Sequence, residues 1–306
     1  MSDLNTIDLP TLFDRLVSDT MLDRLLTEAL REDLGDVGDV TSRAMIDRDA
    51  TARGVLVARE AGVVCGLPIL ARATHPLVQS VATGSTVAVE DGTLVDAGTT
   101  LLSCECTLRE LLALERTLLN LVGHMSGVAT MARRFVDAID GTGAVICDTR
   151  KTTPGLRRLE KYASRAGGAH LHRLGLHDAM LIKDNHLAHL ETGNLAAALD
   201  ESIRRARDAS SLWFVEVECD SLDQFEQVLS LDDGLVDYAL LDNMSNDELR
   251  EAVSLRHAKG RSIKIEASGG VTLDTVRSIA ETGVDRISVG AITHSPPRLD
   301  VALDIV

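Results

Sequence analysis

Six short apolar runs organise the chain beyond Gly141. They fall near Ala144–Thr149, Met180–Lys183, Phe214–Cys219, Tyr238–Leu241, Ile263–Glu266 and Arg286–Val289. Each is rich in Val, Ile or Leu, as parallel strands covered on both faces are. Between them, stretches such as Leu195–Ala209, Leu222–Leu229, Asn246–Ala258 and Leu273–Glu281 read as helices. The later strands recur about every 23–25 residues, the tempo of a (β/α) barrel. The pattern therefore predicts an α/β fold with a parallel sheet. Six strands do not secure a complete eight-stranded barrel.

The first part of the chain reads differently. "SDTMLDRLLTEALREDLG" has apolar residues at helical spacing and a polar start at Ser18 and Asp19. The acidic run "EDLGDVGDVTS" lacks the ligand spacing and closing Glu of a calcium loop, which leaves a capped turn. Residues 51–107 carry β-branched residues and Gly or Asp-Gly turns, so they read as strands, with a helix near Leu67–Leu77. From Leu108 to Ile139 the period is helical, with Gly123 and Gly127 marking breaks or close packing. This switch of period is the natural domain boundary. Aromatic residues make up only 2% of the chain, so the cores must be mainly Leu, Val, Ile and Ala.

In a parallel barrel, chemistry sits at the C-terminal ends of the strands. Here those ends read "DTRKT", "IKDNH", "EVECD", "LLDN", "IEASGG" and "VGAIT". The first two are cationic in a chain of net charge -16. Arg150, Lys151, His172, Arg173 and Lys183 lie at or near them, and Arg and Lys so placed match carboxylates and phosphates. Arg157, Arg158 and Lys161 have helical spacing and read as a solvated face able to pair with Glu160. Glu218 and Asp242 end the next two strands. They can share a divalent metal, bind substrate hydroxyls or simply be salt-bridged. Glu216 lies deeper on the same face and reads as a buried ion-paired group. Ser268, Gly269 and Gly270, with Gly290 on the last strand, expose main-chain N–H groups suited to a phosphate.

Other chemistries lack their signatures. There is no GxGxxG after the first strand, no GxxxxGK[ST], no HExxH and no GxSxG. The acidic balance and scarce aromatics argue against a nucleic-acid partner. The five cysteines form no CxxC pair, and Cys104 and Cys106 read as small strand residues. A polar N-terminus and the lack of a long apolar run predict a cytoplasmic protein with no membrane partner.

Several of these stretches together resemble one family. "DTRKTTPGLRRLEKYASRAGG", "HRLGLHDAMLIKDNH", "VEVECDSLDQ", "LLDN", "EASGGV" and "ISVGAITHS" are similar to quinolinate phosphoribosyltransferase. "REDLGDVGDVTS" and "LERTLLNLVGHMSGVAT" match its N-terminal half. The resemblance implies an N-terminal α/β sandwich followed by an incomplete, TIM-like α/β barrel. We assign the sandwich to residues 1–116, rejoined by 294–306, and the barrel to residues 117–293. It implies transfer of phosphoribose from phosphoribosyl pyrophosphate to quinolinate, with Mg2+ and loss of carbon dioxide. It implies a homodimer, or a hexamer built from dimers, with sites shared between subunits.

By the same resemblance, Arg150, His172, Arg173 and Lys183 grip the quinolinate carboxylates, joined by Arg116 from the other subunit. Lys151 contacts quinolinate or pyrophosphate. Glu218 and Asp242 hold ribose hydroxyls and Mg2+. Ser268, Gly269, Gly270 and Gly290 cradle the 5′-phosphate, and His294 closes that end. Lys151, Lys183, Glu218 and Asp242 are the expected catalytic group. One departure stands out: "GGAHLHRLGL" has Ala169 and Leu171 where the family commonly has Gly and Asn. Three rivals remain at this point: a paralogous group associated with molybdenum transport, a Schiff-base aldolase using Lys183 or Lys151, and a phosphosugar-binding regulator.

Overall fold

The computed structural model describes residues 4–187 and 195–306. In chain order the elements begin with α1 (Leu9–Leu16), α2 (Asp19–Leu34), α3 (Val40–Met45), β1 (Thr51–Ala58), β2 (Gly62–Val63), α4 (Pro68–Arg72) and α5 (Pro76–Thr83). Next come β3 (Ser85–Val87), β4 (Leu94–Val95), β5 (Thr100–Thr107), α6 (Leu108–Ala138), β6 (Val145–Cys147), α7 (Arg157–Ala166), β7 (Met180–Ile182) and α8 (Asp184–Leu187). The rest are α9 (Leu195–Ala209), β8 (Val215–Cys219), α10 (Leu222–Leu229), β9 (Tyr238–Asp242), α11 (Asn246–Ala258), β10 (Lys264–Ser268), α12 (Val276–Ala280), β11 (Arg286–Ser288), α13 (Ala291–His294) and β12 (Val301–Ile305).

Contacts divide the chain into two units. The first is Met1–Arg133, Thr152–Gly168 and Ile292–Val306; the second is Arg134–Lys151 and Ala169–Ala291. The division near residue 133 falls within α6, which spans Leu108–Ala138. The C-terminal segment Ile292–Val306 belongs to the first unit.

The first unit is built on an antiparallel sheet in the order β12-β1-β5-β3. Helix α2 starts where the sequence placed it: Ser18 Oγ accepts the Met21 N–H at 3.3 Å, and Gly35 at φ +52° closes the helix. Its Leu22, Leu26 and Leu30 are buried on one face, each contributing about 1.5–3 kcal/mol. The acidic loop is a capped turn, with Asp39 accepting the Thr41 and Ser42 amides at the start of α3. The region near Leu67–Leu77 forms two short helices, α4 and α5, each led by a proline. Gly123 and Gly127 mark close packing. A Cβ on Gly123 would lie 2.9 Å from the Leu299 oxygen, and one on Gly127 would strike the Pro297 carbonyl.

Helix α7 corrects the reading of its cations. It is not a solvated face. Glu160 and Lys161 are fully buried, and Glu160 pairs with His124 Nε2 at 2.8 Å and accepts the Thr153 N–H at 3.1 Å. Arg157 donates to Thr152 Oγ1 at 2.9 Å. The opposite edge of α7 packs Tyr162 against Phe13 with ring centroids 5.0 Å apart.

The second unit is a six-stranded parallel sheet in the order β6-β11-β10-β9-β8-β7. All six strands lie where the apolar runs placed them. His170 forms a parallel bridge with Cys147 on the open side of β6. Ser221 caps α10, and Ser245 with Glu248 forms a capping box on α11. Among the described residues no helix is long and apolar enough to cross a membrane.

Candidate active site

Because every pair in this sheet is parallel, its C-terminal strand ends share one edge. Read across the sheet, that edge carries Arg150 and Lys151 after β6, Gly290 after β11 and Ser268–Gly270 at β10. Asp242 at β9, Glu218 on β8 and Lys183 after β7 follow. Spatial order differs from sequence order: the cations after β6 neighbour the glycines of the last strands, because β6 pairs with β11. Arg116 and His294 belong to the first unit. There Arg116 is exposed with Glu115 at 3.8 Å, and His294 Nδ1 lies 2.6 Å from Ser295 Oγ.

Arg173 is buried, and its side chain reaches the Ala179 carbonyl at 3.5 Å. Burial and then the Arg150 charge hold its pKa below the ordinary value, with Glu216 and Asp178 opposing. A buried guanidinium that feels a second cationic charge favours an anion near both. The loop that carries Arg173 is pinned by carboxylates absent from the predicted set. Asp148, fully buried, accepts the His172 N–H at 2.8 Å. Asp178 accepts the Leu174 and Gly175 amides at 2.6 and 2.9 Å. Ala169 and Leu171, the two departures, are buried and apolar.

His172 is buried, and both of its ring nitrogens are engaged within the protein. Nε2 lies 2.9 Å from Glu216 Oε2 and 3.5 Å from Glu266 Oε1. Nδ1 accepts the main-chain N–H of Arg173 at 2.8 Å. Burial disfavours the charged ring, and the Glu266 and Glu216 carboxylates oppose that effect. The Arg173 amide pulls the other way, because it needs the Nδ1 lone pair. That 2.8 Å bond decides for the neutral ring with its proton on Nε2.

Lys183 is half-buried and ion-paired with Glu218. Burial raises the Glu218 pKa, Lys183 lowers it, and Asp242 adds a smaller upward push. Carboxylate oxygens of Glu218, Asp220 and Asp242 lie within 4.8 Å of one another. Asp220 adds a third acid to the predicted pair, and its only sequence signal was its place two residues beyond Glu218. An all-oxygen, acidic donor set of this kind fits Mg2+.

The glycine turn is built tightly. Gly269 has φ +100° and Gly270 φ +57°. A Cβ on Gly269 would meet Asn243, 2.6 Å from Cγ and 2.8 Å from the main-chain N. Asn243 itself sits at φ 55°, donates its N–H to the Ser268 carbonyl at 2.9 Å and holds Asp242 Oδ2 through Nδ2 at 2.6 Å. Asn243 thus ties the acidic edge to the glycine turn. Only an exposed "DN" after an apolar run marked it in the sequence. Lys151 is exposed, with its main-chain N–H bonded to Thr149 Oγ1 at 3.0 Å.

A parallel α/β sheet with cations, clustered carboxylates and a glycine turn along one C-terminal edge defines an anion-handling enzyme of the barrel class. The comparisons give the particular group. Residues 39–126 match the family model "Quinolinate phosphoribosyl transferase, N-terminal domain", and residues 128–304 match that of its C-terminal domain. The chain belongs to the quinolinate phosphoribosyltransferase family.

A nicotinate-nucleotide pyrophosphorylase [carboxylating] of Mycobacterium leprae is 40% identical over 280 residues, 92% of this chain and 95% of the relative. The solved nicotinate-nucleotide pyrophosphorylase of Ehrlichia chaffeensis is 40% identical with a TM-score of 0.81, covering 92% of this chain and 98% of that one. That of Francisella tularensis is 32% identical with a TM-score of 0.82, covering 95% and 98%.

Proposed function

We propose that this chain is a carboxylating nicotinate-nucleotide pyrophosphorylase. It transfers phosphoribose from phosphoribosyl pyrophosphate to the ring nitrogen of quinolinate, giving nicotinate mononucleotide, pyrophosphate and carbon dioxide for NAD biosynthesis. The observation that carries the reading is the strand-end edge that bears Arg150 and Lys183 together with the Glu218–Asp220–Asp242 cluster, with a buried Arg173 that feels the Arg150 charge. A pyridine dicarboxylate relieves the repulsion between the guanidinium groups, and the acids suit a polyhydroxylated, metal-chelating co-substrate.

Arg150, Arg173 and Lys183 bind and orient quinolinate. Ser268, Gly269, Gly270 and Gly290 receive the 5′-phosphate on main-chain N–H groups. Glu218 and Asp242 orient the ribose hydroxyls and, with Asp220, would hold Mg2+. The metal, when bound, screens the charge that develops on pyrophosphate. The C1–O bond to pyrophosphate breaks through an oxocarbenium-like transition state, and the pyridine nitrogen forms the new bond to C1. The positive ring nitrogen then stabilises the carbanion left when the adjacent carboxylate departs as carbon dioxide, and that carbon takes a proton. Lys151 contacts quinolinate or the leaving pyrophosphate, whose charge it would stabilise. No covalent enzyme intermediate is required, which sets this reading against a Schiff-base aldolase.

We further place the enzyme in the cytoplasm, where its five free thiols stay reduced. It acts as a homodimer, or a hexamer of dimers, with Arg116 of one subunit completing the site of the other. The purified protein with Mg2+, quinolinate and phosphoribosyl pyrophosphate should release carbon dioxide and form nicotinate mononucleotide. Turnover of nicotinate but not quinolinate would overturn the substrate assignment. Arg116→Ala and Lys183→Ala variants, each inactive, should regain activity when mixed; no recovery despite proven subunit exchange would refute a shared site.

A further inference from the structure

The interior of the parallel sheet is not packed as barrel interiors usually are. Large aliphatic residues ordinarily fill such layers. Here Glu216 of β8, Glu266 of β10 and Arg286 of β11 point inward and are buried. Arg286 Nη2 lies 2.9 Å from Glu216 Oε1, and its Nε is ion-paired with Glu266. The guanidinium lies over Tyr238, 3.3 Å from the ring centroid, and 5.0 Å from that of Phe214. Phe214 also meets the His172 ring edge-on at 5.3 Å. Four ionisable side chains and two aromatic rings thus form one contiguous cluster.

A buried ion cluster gives little net stability compared with apolar packing of equal volume. It does impose direction, because each charge must find its partner at hydrogen-bonding distance. The partners left over after Arg286 is satisfied, Glu216 Oε2 and Glu266 Oε1, are the two oxygens that face His172 Nε2. The opposite nitrogen of that ring holds the main-chain N–H of Arg173. A chain of contacts therefore runs from the charged layer through an imidazole to the backbone of a substrate-facing arginine. Glu216 lies two residues before Glu218 on the same strand face, so this layer sits beneath the edge that carries the acids.

We propose that Glu216, Glu266 and Arg286 are positioning residues that orient His172 through Nε2, so that His172, through Nδ1, fixes the backbone of Arg173 at the dicarboxylate end of the site. His172 then acts on Arg173 rather than on the substrate. The role rests on the quinolinate reading above, but its central geometry does not. The Arg173 amide requires a bare Nδ1, and the carboxylates require a proton on Nε2.

The test has two independent arms. In the wild-type protein without substrate at pH 7, the imidazole 15N shifts of His172 should show the neutral ring with hydrogen on Nε2. An imidazolium, or hydrogen on Nδ1, overturns the link to Arg173. In the second arm, Glu216→Gln and Glu266→Gln keep shape but remove charge. Each should raise the quinolinate KM about tenfold, leave the phosphoribosyl pyrophosphate KM within about twofold and change kcat less than the quinolinate KM. Lowered stability with an unchanged quinolinate KM would mark the cluster as core alone and sink the proposal. If the wild type fails to use quinolinate, the functional reading falls, and the 15N experiment still judges the geometry.

Discussion

Gly269→Ala probes the joint between the glycine turn and the acidic edge. At φ +100° an alanine is strained by about 1–2 kcal/mol. Its Cβ would also lie 2.6 Å from Asn243 Cγ and 2.8 Å from the Asn243 main-chain N. The side chain can swing away, but the main chain is held by its bond to the Ser268 carbonyl. Overpacking of this kind costs about 1–3 kcal/mol, for a total of about 2–5 kcal/mol. With a urea dependence of about 2 kcal/mol/M, the unfolding midpoint should fall by about 1–2.5 M.

The single tryptophan, Trp213, immediately precedes Phe214 and β8 in the same unit, so its fluorescence reports the relevant transition. Gly270→Ala is the matched control. Its φ is +57° and a Cβ there meets nothing within 4 Å, so the cost should stay near 1 kcal/mol. Combining Gly269→Ala with Asn243→Gly removes the side-chain clash but not the main-chain one, so rescue should be partial. The Gly269→Ala variant should also raise the phosphoribosyl pyrophosphate KM more than the quinolinate KM. A Gly269→Ala protein within about 0.5 kcal/mol of wild type, with an unchanged phosphoribosyl pyrophosphate KM, would refute the reasoning.

Other outcomes follow from features in both units. Glu160→Ala leaves His124 and the Thr153 N–H without their buried acceptor, and denaturant unfolding should show a loss of about 2–4 kcal/mol. Asp23 has a lowered pKa, chiefly through the Thr74 hydroxyl and also its amide. Its contribution should be full above 3.8 and lost as pH falls through the lower folded value, so acid unfolding of Asp23→Asn should be the less pH-dependent below 3.8. Asp242→Asn removes one charge from the three-acid cluster. It should raise the Mg2+ concentration for half-maximal activity about tenfold, as a Mg2+ titration would show.

The elements most readable in the sequence were those set by local chemistry. Ser18 and Gly35 bounded α2, and six aliphatic runs gave the six parallel strands. The strand-end rule then collected Arg150, Lys183, Glu218, Asp242 and Ser268–Gly270 before any coordinates. What escaped was set by tertiary partners. Helix α7 reads as polar on nearly every side, yet Glu160 and Lys161 are buried, and the partners of Glu160 come from outside the helix: His124 from α6 and the Thr153 amide from the segment before α7. The switch from strand to helix at Leu108 marked the start of α6, and the two units divide inside that helix, between Arg133 and Arg134. Asn243 escaped because its role depends on a positive φ and on meeting Gly269 from another strand. Glu216 read correctly as a buried ion pair, but its partner comes from the last strand of the sheet.

The outer neighbour of β1 has a consequence for how the protein is made. Gly54 pairs with Ile305, and Ala58 with Val301. During synthesis, β1 and β5 can pair as soon as both leave the ribosome, while the edge that receives β12 stays bare until nearly all of the second unit has been translated. An unpaired strand edge recruits other chains. A nascent chain stalled before Val301 should therefore be held by chaperones or aggregate, even though every residue of β1–β5 is already present. The order in which this fold is completed is thus fixed less by its parallel sheet than by the return of one short strand.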